Sequence, residues 1–107
     1  LEADDVESLR QPENVALLDA DKLTYPLTVR RWNEGDAFVP FGMDSRKKIS
    51  DFLINNKVSL PDKRRQFVVT SENDIVWVVG RRIDDRYKVA PATENVLRIV
   101  RETDVEI

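Results

Sequence analysis

The heptapeptide DIVWVVG, residues 74–80, is apolar at both its odd and its even positions from Ile75 to Val79. A strand sends alternate side chains to opposite faces, so a strand apolar on both has to be covered on both. QFVVT (66–70) precedes it, separated by the polar Ser71-Glu72-Asn73, and the two runs read as a hairpin. A hairpin of this kind needs a layer of chain above it and another below. That requirement selects a layered, mostly β fold.

The remaining segments supply the layers. VALLD (15–19) is a short apolar strand candidate ending in the polar DADK turn. LTVRRW (27–32) is rich in β-formers, with Leu27, Val29 and Arg31 on one face and Thr28, Arg30 and Trp32 on the other. Asn33-Glu34-Gly35-Asp36 is a turn. Phe38 to Met43 is too broken for a helix, because Pro40 holds Val39 extended and Gly42 suits a positive φ. Ile49, Phe52 and Leu53 recur at helical spacing and predict a helix over 46–56, capped by Asp44 or Ser45. Ser59-Leu60-Pro61-Asp62 predicts a second, short helix capped by Ser59. NVLRIVR (95–101) is a last strand, with Leu97 and Ile99 inward. The expected fold is α+β: a mostly β, layered, sandwich-like domain with one medium and one short helix. Residues 1–14 are expected to be an acidic linker or loosely ordered lead-in, and 15–107 a single domain. The chain begins at Leu1, so a longer parent protein is expected.

Composition closes several routes to chemistry. There is no histidine and no cysteine among the 107 residues. Serine–histidine and cysteine–histidine catalysis, thiolate metal sites and disulfides are therefore excluded within this chain. The three glycines, at 35, 42 and 80, match neither GxGxxG nor GxxxxGK[ST] spacing. Adjacent carboxylates such as Asp84–Asp85 point apart on a strand. No catalytic residue and no metal site are expected. No apolar run approaches the roughly 20 residues a membrane-spanning helix needs, so no membrane partner is expected, and the lack of cysteine fits a reducing cytoplasm.

The net charge of −3 hides a division. Residues 1–22 carry seven acids against two bases, whereas residues 44–65 carry seven bases against three acids. Residues 81–88 add Arg81, Arg82, Arg86 and Lys88 against Asp84 and Asp85. A polyanion meets local potential rather than the sum. Arg46, Lys47 and Lys48 would occupy the first turn of the predicted helix, where the macrodipole disfavours cations, so their placement suggests an anion to be met. The alternative is that they are solvated surface charges. Lys63-Arg64-Arg65 repeats the pattern on the second helix. Arg82 and Arg86 suit either structural ion pairs or phosphate forks. Arg30 beside Trp32 suits stacking on a base, although a Trp at a strand end more often fills a core.

Four segments, LTVRRWNEGDAFVPFGM (27–43), RKKISDFLINNKV (46–58), DIVWVVGRRIDDRYKV (74–89) and ATENVLRI (92–99), together resemble the C-terminal domain of bacterial tRNA(Ile)-lysidine synthetase. Related domains occur in the β chain of bacterial phenylalanyl-tRNA synthetase. The resemblance implies an accessory domain that grips isoleucine tRNA around its acceptor region. A separate N-terminal domain of the parent ligase would attach lysine to the wobble cytidine, using ATP with magnesium. It implies tRNA and that N-terminal domain as partners, in the cytoplasm, with homodimerisation left open. The competing expectation is a non-catalytic scaffold that positions its parent with little RNA contact. The family's basic positions fall on Arg30, Lys47, Lys48, Lys57, Arg65, Arg82 and Arg86, to which the local runs add Arg46 and Arg64 as RNA-contact candidates. Gly35, Asp36, Pro40, Gly42, Asp51 and Asp84 fall on its turn and framework positions. Ala37 and Ser59-Leu60 depart from the pattern, where a basic residue and a Pro-Arg pair are common.

Overall fold

The hairpin sits at the centre of the molecule. In the computed structural model, which describes residues 13–102, its strands are Phe67–Ser71 and Asp74–Val78, joined by a tight turn with Glu72 at φ 53°. In chain order the strands are β1 (Val15–Asp19), β2 (Leu27–Arg31), β3 (Ala37–Phe38), β4 (Lys47–Lys48), β5 (Phe67–Ser71), β6 (Asp74–Val78), β7 (Arg82–Ile83) and β8 (Val96–Val100). The helices are α1 (Ile49–Asn55) and α2 (Leu60–Arg64), with 3-10 turns at Ala20–Lys22 and Asp85–Tyr87. A four-stranded antiparallel sheet runs β2-β5-β6-β7, and two-stranded sheets pair β1 with β8 and β3 with β4. This is the mostly β, layered architecture that the doubly apolar strand demands. No helix among the described residues is long and apolar enough to cross a membrane.

Two separate cores flank the central sheet. On one side Phe38, Ile49, Phe52 and Leu53 pack against Val68, Ile75 and Val78. On the other, Ala16, Leu18 and Leu23 pack against Val69, Val76 and Trp77, with Leu97 and Ile99 turned inward as expected. Simple alternation along β6 would put Ile75 and Trp77 on the same side. A β-bulge prevents it: Val69 pairs with Trp77 and Thr70 with Ile75, leaving Val76 as the extra residue. Val76 and Trp77 therefore face one core, and Ile75 and Val78 the other.

The first helix begins later than its apolar spacing predicts. It spans Ile49–Asn55 rather than 46–56, and neither Asp44 nor Ser45 caps it. Lys48 holds the N-cap position with no side-chain hydrogen bond, because Lys47 and Lys48 are drawn into β4 opposite Phe38 and Ala37. The Ile49 N–H donates to the Asp36 carbonyl (2.9 Å), so strand pairing does the work of a cap. The second helix forms as its cap residues imply, with Ser59 Oγ accepting from the Asp62 N–H at 3.3 Å. β1 starts at Val15, as predicted; the lead-in expected over 1–14 lies, up to residue 12, outside the described residues.

Candidate nucleic-acid interface

The Phe38–Phe52 edge-to-face pair, with centroids 5.1 Å apart, organises one cationic surface. Phe38 is the strand partner of Lys47. Phe52 carries the Arg82 guanidinium over its ring, 5.5 Å from the centroid. Arg82 and the Arg46-Lys47-Lys48 arm are thus joined through two buried rings, although 34 residues separate Arg82 from Lys48 in the chain. Arg46, Lys48 and Arg82 are exposed and Lys47 half-buried. Among the described residues no carboxylate lies within 4.0 Å of any of the four. The three cations of the 46–48 run occupy an extended arm and not the first turn of α1. Lys48 adjoins the helix as its N-cap residue, and Arg46 and Lys47 precede it.

Lys57 ends α1 in an unusual way. Its N–H donates to the Ile54 carbonyl (2.9 Å) and the Val58 N–H to that of Leu53 (3.0 Å), the bonding of a Schellman motif. The pivotal residue has φ 56°, a conformation that suits glycine, yet an exposed lysine stands there. Arg64 and Arg65 lie exposed at the end of α2, where Arg65 meets Asp62 at 3.0 Å. Both partners of that pair are solvent-exposed, so it is readily exchanged for another anion.

Arg30 and Arg86 are each forked onto an aspartate. Arg30 donates two hydrogen bonds to Asp36, at 2.8 and 3.2 Å. Burial pushes the Asp36 carboxyl up, but the Arg30 fork and the Asn33 N–H outweigh it and hold the group below the usual value. Arg86 forks onto the fully buried Asp84 at 3.0 and 2.9 Å, and this hydrogen bonding raises the arginine's pKa. Trp32 is half-buried: it packs against the first core and donates Nε1–H to the Lys63 carbonyl (2.7 Å).

Arg31, Arg81 and Arg101 are not among the RNA-contact candidates that the sequence suggests. Arg31 lies over the Phe67 ring (5.7 Å to the centroid), while Arg81 and Arg101 line a groove beside it. The signal available was the doublet Arg81-Arg82, whose neighbours cannot both point one way. Among the described residues no three acidic side chains gather into a metal-binding group.

Fold and surface together define a small layered α+β domain with an exposed, unpaired cationic arm. The chain belongs to the family of the TilS substrate C-terminal domain, whose model matches residues 27–100. It is 46% identical over 83% of its length to a tRNA(Ile)-lysidine synthase of Parabacteroides distasonis, and 41% identical over 79% to that of Bacteroides thetaiotaomicron. It is 34% identical over 86% to the enzyme of Clostridium acetobutylicum. The chain spans 20% of the length of each of these relatives. Its fold is similar to that in a crystal structure of a TilS C-terminal domain, with a TM-score of 0.68 at 19% identity, covering 88% of this chain and 75% of that one.

Proposed function

We propose that this chain is the tRNA-binding C-terminal domain of a tRNA(Ile)-lysidine synthase, and that it grips the acceptor region of isoleucine tRNA. The observation that carries the reading is the run Arg46-Lys47-Lys48 with Arg82: Lys47 is paired with Phe38, Arg82 lies over the Phe52 ring that packs on Phe38, and none of the four has a carboxylate partner among the described residues. An A-form stem hides its base edges in a deep, narrow major groove and offers phosphates and 2′-hydroxyls, which an extended cationic arm can follow. Lys57, Arg64 and Arg65 extend that contact along the helices. Arg30 and Arg86 hold turns in place and contribute no direct contact. Lysine and ATP with magnesium belong to the parent's N-terminal domain, this domain's partner in cis, and the assembly works in the cytoplasm.

The test is a salt titration of tRNA binding by the chain and by its Lys47→Glu, Lys48→Glu double variant. Each lost phosphate contact lowers the salt slope by about one, so the variant's slope should flatten by roughly two and its affinity fall at least about tenfold at low salt. Unchanged affinity and slope would leave the arm without a role in RNA binding and favour the scaffold alternative.

A further inference from the structure

A groove of about 210 Å³ opens where the end of α2, the start of β5, the turn between β6 and β7, and the residue after β8 meet. Asp62, Arg65, Gln66, Phe67, Arg81 and Arg101 line it. One of its cations, Arg81, is held in place by a buried side chain. Gln66 is only 6% exposed, and its Nε2 donates to the carbonyls of Phe67 and Val79, both at 2.8 Å. That fixes the amide so that Oε1 accepts from Arg81 Nε at 2.7 Å, leaving the two terminal nitrogens of Arg81 facing outward uncommitted.

Arg101 is rooted by its N–H to the Asn14 carbonyl (2.8 Å), and its guanidinium lies against Gly80, where a Cβ would come within 3.0 Å of Nη1. Among the described residues no carboxylate comes within 4.0 Å of Arg81 or Arg101, while Asp62 is engaged by Arg65. Three guanidiniums against one aspartate leave the groove with a net positive charge. The groove also has an aromatic wall: Phe67 is 41% exposed, with the Arg31 guanidinium over one face of its ring.

We propose that this groove binds one nucleotide of an unpaired RNA strand, its phosphate held by Arg81 and Arg101 and its base stacked on Phe67. Phosphate suits paired guanidiniums, and an exposed ring beside the phosphate suits a base. Within a stem both faces of a base are covered by its neighbours, so the ring selects a base outside the helix. The inference rests on the RNA-binding reading above and adds a contact that reading lacks. Arg82 turns toward the Phe52 ring and the stem-facing arm, whereas the adjacent Arg81 turns to Gln66 and the groove.

The experiment measures binding of a single-stranded RNA tetranucleotide and of a blunt 12-base-pair RNA duplex to the 107-residue chain. The variants are Arg81→Gln with Arg101→Gln, Phe67→Leu, Phe67→Trp, and Lys47→Glu with Lys48→Glu, each checked for a native circular dichroism spectrum. Tetranucleotide affinity should fall about tenfold or more in the arginine variant and in Phe67→Leu, be kept in Phe67→Trp, and be largely kept in the lysine variant. Duplex affinity should ignore both Phe67 changes. Tetranucleotide binding that ignores Phe67→Leu, or that Phe67→Trp weakens as much as Phe67→Leu does, overturns the inference. Failure of the unsubstituted chain to bind the duplex, with the tetranucleotide still bound through the arginines, counts against the stem reading and leaves the groove standing.

Discussion

Asp84 is completely buried and accepts four hydrogen bonds: from the Val39 N–H, the Arg86 N–H, and Nε and Nη2 of Arg86, all between 2.8 and 3.0 Å. It ties the Phe38–Met43 segment to the 3-10 turn, helped by Asp85, whose carboxylate accepts from the Gly42 N–H. Asp84→Asn would turn an NH₂ toward donors and strand the guanidinium, at a cost of about 3 kcal/mol, read from urea denaturation midpoints. Tyr87 gives a pH-dependent counterpart. Burial, and then its hydrogen bond to Asp74 (2.7 Å), push the phenol up to about 12 from 10.0. A raised folded-state pKa stabilises fully below the unfolded value, so this contribution is present below pH 10 and is lost as pH climbs through 12. Thermal melts should show the parent losing stability across that window more steeply than Tyr87→Phe, which begins weaker by about 1 kcal/mol for the lost hydrogen bond. Arg86 itself shows how far residue type can be read. Phosphate fork and structural fork look the same in a string of letters, and only the fold shows the buried Asp84 that Arg86 grips.

Among the secondary-structure elements, those set by local chemistry were readable and those set by a distant partner were not. β1 and the hairpin follow from apolar runs cut by turns, and α2 follows from Ser59 and Pro61. The start of α1 was misplaced by three residues because Ala37 and Phe38, about ten positions away, recruit Lys47 and Lys48 into a strand. The bulge at Val76 was hidden by an unbroken apolar run, in which a slip between faces leaves no mark. The end of α1 carries a further expectation. Replacing Lys57, at φ 56°, by glycine should relieve the left-handed strain and raise stability by roughly 1 kcal/mol while weakening RNA binding, seen by paired urea and tRNA titrations. A substitution that stabilises the fold and weakens binding would mark the lysine as kept for contact. Equal or tighter tRNA binding by the glycine variant would count against that role.

At the level of the whole molecule, the charge division was visible in the sequence, but its partition was not. Of nine candidate cations, two are forked onto aspartates, and the other seven, all exposed but the half-buried Lys47, are spread over β4, the ends of the two helices and β7. Arg81 and Arg101 could not be joined from the sequence because β8, paired with β1, brings Arg101 against Gly80 from the far end of the chain, a meeting that no local window contains. The pairing of the first strand with the last has a mechanical side. Val15 lies opposite Val100, and the Arg101 N–H extends the ladder to Asn14, so both ends of the described chain leave from one edge. A tug on the two ends would load those rungs one after another, like a zipper, and not all together in shear. Under tension the outer ribbon would peel away first and uncover Trp77, while the hairpin beneath it carried almost no force.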